Sequence, residues 1–140
     1  MRYAVTDDMA FLRLSDGEEL HRSISAACEE YSIDSAVILG GLGMAQDITF
    51  GWYTGAEYVR ERLEGTFELT GLSGDISIRE GVIYPHLHAV LNGMDHRPFS
   101  GHVLKVVTFH NLEVFIRPLR SIRLKREFDG WLEAIVPEKR

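Results

Sequence analysis

The 140-residue chain has the length of one domain, and 45% hydrophobic with 10% aromatic residues is enough for an ordinary globular core. This composition excludes collagen-like, disordered and coiled-coil proteins, and no apolar run approaches the roughly 20 residues of a membrane span. A formal charge of −6, from 15 Lys and Arg against 21 Asp and Glu, has the wrong sign for a protein that grips phosphates through a broad basic surface.

The N-terminal segment and the cysteine content predict a cytoplasmic protein. Asp7 and Asp8 lie where a signal peptide needs an uninterrupted apolar stretch, so we expect no export. The single cysteine, Cys28, can form neither an intramolecular disulfide nor a cysteine-based zinc site. Any metal ion must therefore be bound by histidine or carboxylate side chains.

The first elements in chain order are a predicted hairpin and a predicted helix. Residues 2–8 and 10–17 alternate apolar and polar side chains around the two aspartates, which is typical of two short strands. Asp16 followed by Glu19 resembles a capping box and predicts where the helix begins. Apolar residues at helical spacing then form its buried face: Leu20, Ile24, Ala27, Cys28 and Tyr31.

Short or alternating apolar runs separated by glycines predict strands through the rest of the chain. The predicted strands are residues 35–43, 47–53, 57–65, 66–74, 75–81, 82–93, 100–111 and 112–120. Residues 128–140 predict a last helical turn or strand that docks Trp131, Leu132 and Ile135 on the body or on a neighbouring subunit. Roughly nine strands and one main helix predict a single α+β domain over residues 1–140, with a mostly antiparallel twisted sheet, because most connections are too short for a crossover helix.

Three histidines carry the clearest chemical pattern. His86 and His88 project from one face of a strand, with Cα atoms about 6.6 Å apart. A hairpin folded about the polar turn after Asn92 brings His102 back beside them. Neutral imidazole suits Zn²⁺ or another divalent transition metal, and three protein ligands leave one coordination position open. The alternative, that these are only polar residues at a sheet edge, stays open.

Glu68 is the candidate carboxylate for this site. It lies between Phe67 and Leu69 in a predicted strand, so its side chain is on the face opposite theirs. There it could accept a hydrogen bond from an imidazole and orient it, or act as a general base. A second interpretation pairs it with an arginine at a subunit contact.

A basic segment follows near the C-terminus. Five of the 15 basic residues fall within ten positions that contain no acid: Arg117, Arg120, Arg123, Lys125 and Arg126. The segment predicts either a nucleic-acid-binding stripe or a charged edge strand that resists aggregation.

Three blocks of the sequence together resemble the plant and prokaryote conserved (PPC) domain. The blocks are residues 65–75, with Gly-Thr-Phe-Glu and Ser-Gly, residues 85–89, with Pro-His-Leu-His-Ala, and residues 100–103, with Ser-Gly-His-Val. This domain follows AT-hook motifs in plant nuclear proteins and stands alone in bacteria and archaea. The likeness covers nearly the whole chain, but the Arg-Gly-Arg-Pro core of an AT-hook is absent.

The resemblance implies a compact α+β domain that assembles as a homotrimer, with a metal on His86, His88 and His102. It also implies DNA binding, the role by which prokaryotic members are conventionally described, and places Glu68 in the family's Phe-Glu pair. We therefore favour a metal-binding regulatory or ligand-sensing protein that is not an enzyme. The alternatives are a metal-dependent hydrolase or lyase acting on a small metabolite, and a DNA-binding protein that uses the basic segment.

Overall fold

The N-terminal hairpin is confirmed in the computed structural model, which describes residues 1–140. Strand β1 (Arg2–Val5) pairs antiparallel with β2 (Ala10–Ser15), as the alternating pattern predicts. The polar residues between the strands form the turn, and Leu12 and Leu14 of β2 point into the core with no exposed surface.

Helix α1 (Leu20–Glu30) is also confirmed, but the predicted capping box is wrong. The capping residue is Glu19, whose own carboxylate accepts hydrogen bonds from the backbone N–H groups of His21 and Arg22. Asp16 instead accepts a hydrogen bond from the backbone N–H of His110, a distant residue. The short polar segment after β2 is thus fixed to the sheet, and the helix begins three residues later than an Asp16 cap requires.

The remaining strands are fewer and longer than the sequence predicts. They are β3 (Ala36–Tyr53), β4 (Tyr58–Arg79), β5 (Val82–Asn92), β6 (Pro98–Pro118), β7 (Ile122–Phe128) and β8 (Glu133–Lys139), which makes eight strands in all instead of roughly nine. Three of the glycines read as strand ends, Gly43, Gly65 and Gly74, lie inside the long strands, the first two at shifts of register, whereas Gly81 lies in the turn between β4 and β5. Glycine here bends and twists a strand without ending it.

The strands form one mostly antiparallel sheet in the order β1-β2-β6-β3-β4-β7-β8. Strand β5 pairs with both β4 and β6, and β3 pairs with the same two strands, so β3, β4, β5 and β6 form a closed ring. Only the short β4–β7 contact is parallel. The predicted α+β class, with one helix and a large antiparallel sheet in a single domain, is confirmed.

Apolar residues of the helix and the strands meet in one core of 26 buried side chains. Leu20 and Ile24 of α1 are fully buried there, as are Leu87 of β5 and Ile116 of β6. Because Leu87 points into this core, its neighbours on β5 point to the opposite face of the sheet. That face carries the predicted histidines.

The C-terminal tail forms strand β8, which pairs with β7 as a hairpin at the sheet edge. Of the two predicted forms, the strand is therefore the one adopted. Trp131 is covered by the body of the chain only in part, since 68% of its surface is exposed. The helix of the fold has only 11 residues, and no helix is long and apolar enough to cross a membrane.

Candidate metal centre and adjoining cleft

The predicted hairpin that joins the histidines is confirmed by strand register. His88 of β5 lies directly opposite His102 of β6, and Ala89 lies opposite Gly101. His86 and His88 flank the fully buried Leu87 on β5 and point away from the core. Two residues from one strand and one from its neighbour are thus placed on a single face by backbone pairing alone.

The three imidazoles form a tight cluster. Ring centroids lie 5.2 Å apart for His86 and His88, 5.0 Å for His86 and His102, and 5.4 Å for His88 and His102. One nitrogen from each ring lies within 4.8 Å of the other two. Bonds from zinc to imidazole nitrogen are about 2.0–2.1 Å, so donors this close need only small rotations to share one ion. The donor set therefore fits a divalent transition metal with an open position.

Gly74 of β4 permits the close packing of β5 behind the cluster. Its φ of +154° and a Cβ that would lie 2.0 Å from the backbone oxygen of His86 leave no room for any side chain. Gly101, which precedes His102 on β6, is less constrained. A Cβ there would meet Phe50 at an ordinary 3.6 Å, so Gly74 is the glycine on which the strand spacing depends.

Asp75 and Arg126 both contact Nδ1 of the His86 ring. Asp75 lies opposite His86 in the β4–β5 register, and its Oδ2 lies 3.3 Å from His86 Nδ1. Arg126 Nη2 donates to both carboxylate oxygens of Asp75, at 2.9 and 3.1 Å, and lies 3.1 Å from the same Nδ1. When Nδ1 carries the proton and donates to Asp75, the Nε2 lone pair of His86 is free for a metal.

The electrostatics of the cluster favour neutral His88 and His102 rings and an ionised Asp75. Burial opposes ionisation of Asp75, but hydrogen bonds from His86 and Arg126 together with the Arg126 charge lower its pKa. Burial, followed by the neighbouring His86 and His88, lowers the pKa of His102 to about 4. Burial and His86 also lower the pKa of His88. At neutral pH both of these rings are in the form that binds metals.

The lowered pKa of His102 predicts how the stability of the metal-free protein depends on pH. His102 has an ordinary pKa of about 6.5 when unfolded, so between pH 6.5 and about 4 the unfolded chain binds more protons than the folded one. Stability is therefore full above pH 6.5 and falls as the pH drops toward 4. We expect urea unfolding of EDTA-treated protein to show this loss, and His102→Gln to show a shallower one. An equal slope in both proteins contradicts the assignment.

Two neighbouring cavities open beside the cluster. The first, about 470 Å³, is lined by all three histidines together with Tyr58 and Glu61. The ring of Tyr58 stacks on His102, with centroids 5.0 Å apart and planes 16° apart. The second, about 430 Å³, shares His86, Tyr53 and Tyr58 with the first. The cluster thus faces a cleft of the size that small-molecule ligands occupy.

Glu68 does not reach the cluster within the chain. Its side chain lies on the predicted face of β4, but its partner on β5 is Asn92, four residues beyond His88. At about 3.3 Å per residue, this places Glu68 about 13 Å along the strand from His88. The orienting carboxylate is Asp75, to which the sequence assigned no role, and the acid lining the cavity is Glu61.

The basic segment is not the continuous stripe that its sequence suggests. Arg117 is the last residue but one of β6, Arg120 lies in the following turn, and the other three residues lie on β7. Acids or carbonyls from distant parts of the chain contact four of the five basic side chains: Asp34 contacts Arg123, Glu138 contacts Lys125, Asp75 contacts Arg126 and the Asp7 carbonyl contacts Arg120. Only 10% of the Arg126 side chain is exposed, so it belongs to the histidine site.

Comparison with known proteins places this structure among solved relatives. Residues 1–120 match the family model described as the Plants and Prokaryotes Conserved (PCC) domain. A plant- and prokaryote-conserved (PPC) protein from Pyrococcus horikoshii is 26% identical, with a TM-score of 0.86 over 99% of this chain and 96% of that chain. A metal-containing protein from Archaeoglobus fulgidus is 30% identical, with a TM-score of 0.83 over 96% of this chain and 95% of that chain.

A candidate DNA-binding protein from Bacteroides thetaiotaomicron shares the fold at 22% identity, with a TM-score of 0.86 over 99% of this chain and 96% of that chain. The comparison with curated proteins found no match.

Proposed function

The chain belongs to the Plants and Prokaryotes Conserved domain family, and on that premise we propose that it binds Zn²⁺ or another divalent transition metal through His86, His88 and His102. The observation that carries the proposal is the approach of one nitrogen from each imidazole to within 4.8 Å of the other two. The metal-containing relative from Archaeoglobus fulgidus gives it further support.

Anomalous scattering from a crystal tests the identity of the metal and its ligands together. Protein purified without a nickel column is expected to show an anomalous peak between the three imidazoles, at the absorption edge of the bound element. A crystal grown with added zinc that shows no peak among these rings contradicts the proposal.

The surroundings of the cluster favour a ligand-responsive role. The three histidines leave an open coordination position, and the adjoining cavity gives a small molecule access to it. Asp75 fixes the ring of His86, and Tyr58 covers one face of His102, so the imidazoles are already oriented before a metal binds. We propose that a regulatory or ligand-sensing function uses this position.

The cavity also favours a second candidate, a metal-dependent hydrolase or lyase that acts on a small metabolite. A bound zinc ion supplies Lewis-acid chemistry and activates water near neutral pH. The general base proposed from the sequence, Glu68, is not at the cluster, which leaves Glu61 as the acid that lines the cavity. Turnover that depends on metal and is lost in Glu61→Gln would favour the enzyme over the sensor.

We propose a homotrimer as the assembled form. Leu39, Leu42 and Phe115 expose 48%, 51% and 37% of their surfaces and line one shallow apolar depression on the sheet. Patches of this kind often mark subunit contacts. Light scattering is expected to give three times the 15.9 kDa chain mass, and Leu42→Glu is expected to lower it. A monomeric wild type at micromolar concentration contradicts the trimer.

DNA contact, if it occurs, is expected to be weak. The chain is acidic, and internal partners contact most of the basic segment, which leaves few cations to release counterions from DNA. The probe is a fluorescent 20-base-pair duplex at about 0.15 M salt. We expect micromolar protein not to saturate it, because non-specific dissociation constants at this salt are about 1 μM or weaker. Saturable binding below about 1 μM that weakens in Arg117→Gln contradicts this expectation.

A further inference from the structure

The second cavity beside the cluster contains a cation that the fold leaves without a hydrogen-bonding partner. Arg79, near the end of β4, lines this cavity, and its side chain makes no hydrogen bond. Its Nε is buried without a hydrogen-bond partner and makes only a long ion pair, 3.8 Å, with Glu133 Oε2, while 37% of the side chain is exposed. An anion bound at the exposed terminal amines would supply the hydrogen bonds that this guanidinium lacks.

Arg126, the other arginine in this cavity, is fully engaged by comparison. Its Nε donates to Ser77 Oγ, its Nη1 to the Glu133 carbonyl and its Nη2 to Asp75. Both guanidinium groups lie over the Tyr84 ring, at 5.2 Å for Arg79 and 5.3 Å for Arg126. The Tyr84 ring thus holds Arg79 in place, while its donors remain free to bind an oxyanion.

The walls of the cavity are aromatic with polar ends. Tyr53, Tyr58 and Tyr84 line it opposite Phe128 and Trp131, and none of the three phenol groups donates a hydrogen bond within the chain. Flat aromatic walls and free donors suit a planar body that carries oxygen atoms.

We propose that this cleft binds a small planar organic carboxylate, with its carboxylate at Arg79 and its flat body along Tyr53 and Tyr58 toward His86. The inference rests on the proposed metal site, because the open position beside His86 receives the inner end of the ligand. Glu133 also lines the cleft near Arg79, and its negative charge disfavours a doubly charged phosphate relative to a carboxylate.

Intrinsic fluorescence gives a direct measurement, because the only two tryptophans of the chain, Trp52 and Trp131, line the two cavities. The probes are benzoate, its uncharged analogue benzamide, the non-planar acid cyclohexanecarboxylate, and inorganic phosphate. Each is titrated into EDTA-treated protein and into zinc-loaded protein whose zinc content has been measured. The variants are Arg79→Gln and, as a matched control, Arg117→Gln, an exposed arginine outside the cleft.

We expect benzoate to quench the fluorescence saturably and to bind at least tenfold more tightly than the other three probes. Arg79→Gln is expected to weaken benzoate at least tenfold, since a charge-assisted hydrogen bond is lost, whereas Arg117→Gln leaves it unchanged. The carboxylate site is overturned, and the metal site is retained, if zinc loads fully but benzoate and benzamide bind with equal affinity. The same holds if zinc loads fully but Arg79→Gln does not change the affinity for benzoate. If zinc does not load, benzoate binding that depends on Arg79 still supports the site, and its absence overturns it.

Discussion

His88→Ala is expected to leave the purified protein with less than a tenth of the zinc bound by the wild type. His88 supplies one of only three imidazole donors, and no cysteine or carboxylate lies close enough to the other two to replace it as a ligand. Loss of a residue that merely supports a metal ligand costs 10–100-fold in affinity, so loss of a ligand itself should cost at least as much. Metal analysis after equilibrium dialysis against a micromolar zinc buffer measures the effect.

The control for this experiment is another histidine-to-alanine change. His96 lies in the exposed turn between β5 and β6 and is not part of the cluster. His96→Ala should therefore keep the zinc content of the wild type. His88 lies on an exposed face of β5, so its truncation opens no cavity in the core, and circular dichroism should show an intact fold. If the wild type binds less than one zinc per chain and His88→Ala binds the same amount, the proposed site is wrong.

The histidine cluster could be predicted because its geometry depends on short-range rules. Alternation along β5 places His86 and His88 on one face, and a hairpin returns His102 to the same level. The position of Asp75, the acid that orients His86, could be predicted in the same way from the turn between β4 and β5. Glu80 and Gly81, with φ of 51° and 83°, form a two-residue turn of the type that favours hairpins. Counting outward from that turn pairs Asp75 with His86.

The position of Glu68 along β4 could not be predicted from the alternation of apolar and polar residues, which indicates only the face of a side chain. Its face was predicted correctly, but its position along the strand depends on register. The count that pairs Asp75 with His86 places position 68 opposite position 93, and the irregularity between Leu69 and Gly71 changes that partner by only one residue, to Asn92. The buried side chains change from odd positions, such as Phe67 and Leu69, to even ones, such as Leu72 and Ile76. An extra residue of this kind leaves no signal in a short alternating sequence.

For the basic segment, the sequence left two interpretations open for a different reason. Its local sequence contains no acid, but the acids that contact it come from elements far away in the chain, such as Asp34 and Asp75. Charge along a sequence predicts a surface only when tertiary pairing does not neutralise it. The same pairing converts Arg126 from an apparent surface cation into a buried support for His86.

Gly74→Ala is expected to cost about 3 kcal/mol of folding free energy or more, and to lower the melting temperature by about 10 °C. The added Cβ would lie 2.0 Å from the backbone oxygen of His86, and the backbone already has a φ of +154°. The atom in the way belongs to the β5 backbone, which pairs with β4 both before and after Gly74, so no flexible side chain can move aside.

Gly71→Ala on the same strand is the matched control. A Cβ there would lie 3.6 Å from Val90, an ordinary contact, and its φ is not positive, so we expect a change below about 1 kcal/mol. Urea unfolding of the EDTA-treated proteins separates the two variants. Because the clash pushes His86 away from β4 and Asp75, folded Gly74→Ala should also bind zinc more weakly, whereas Gly71→Ala should bind it normally. Gly74→Ala with wild-type stability and wild-type zinc affinity would show that β5 can move without cost, and that the close spacing of β4 and β5 does not hold the cluster together.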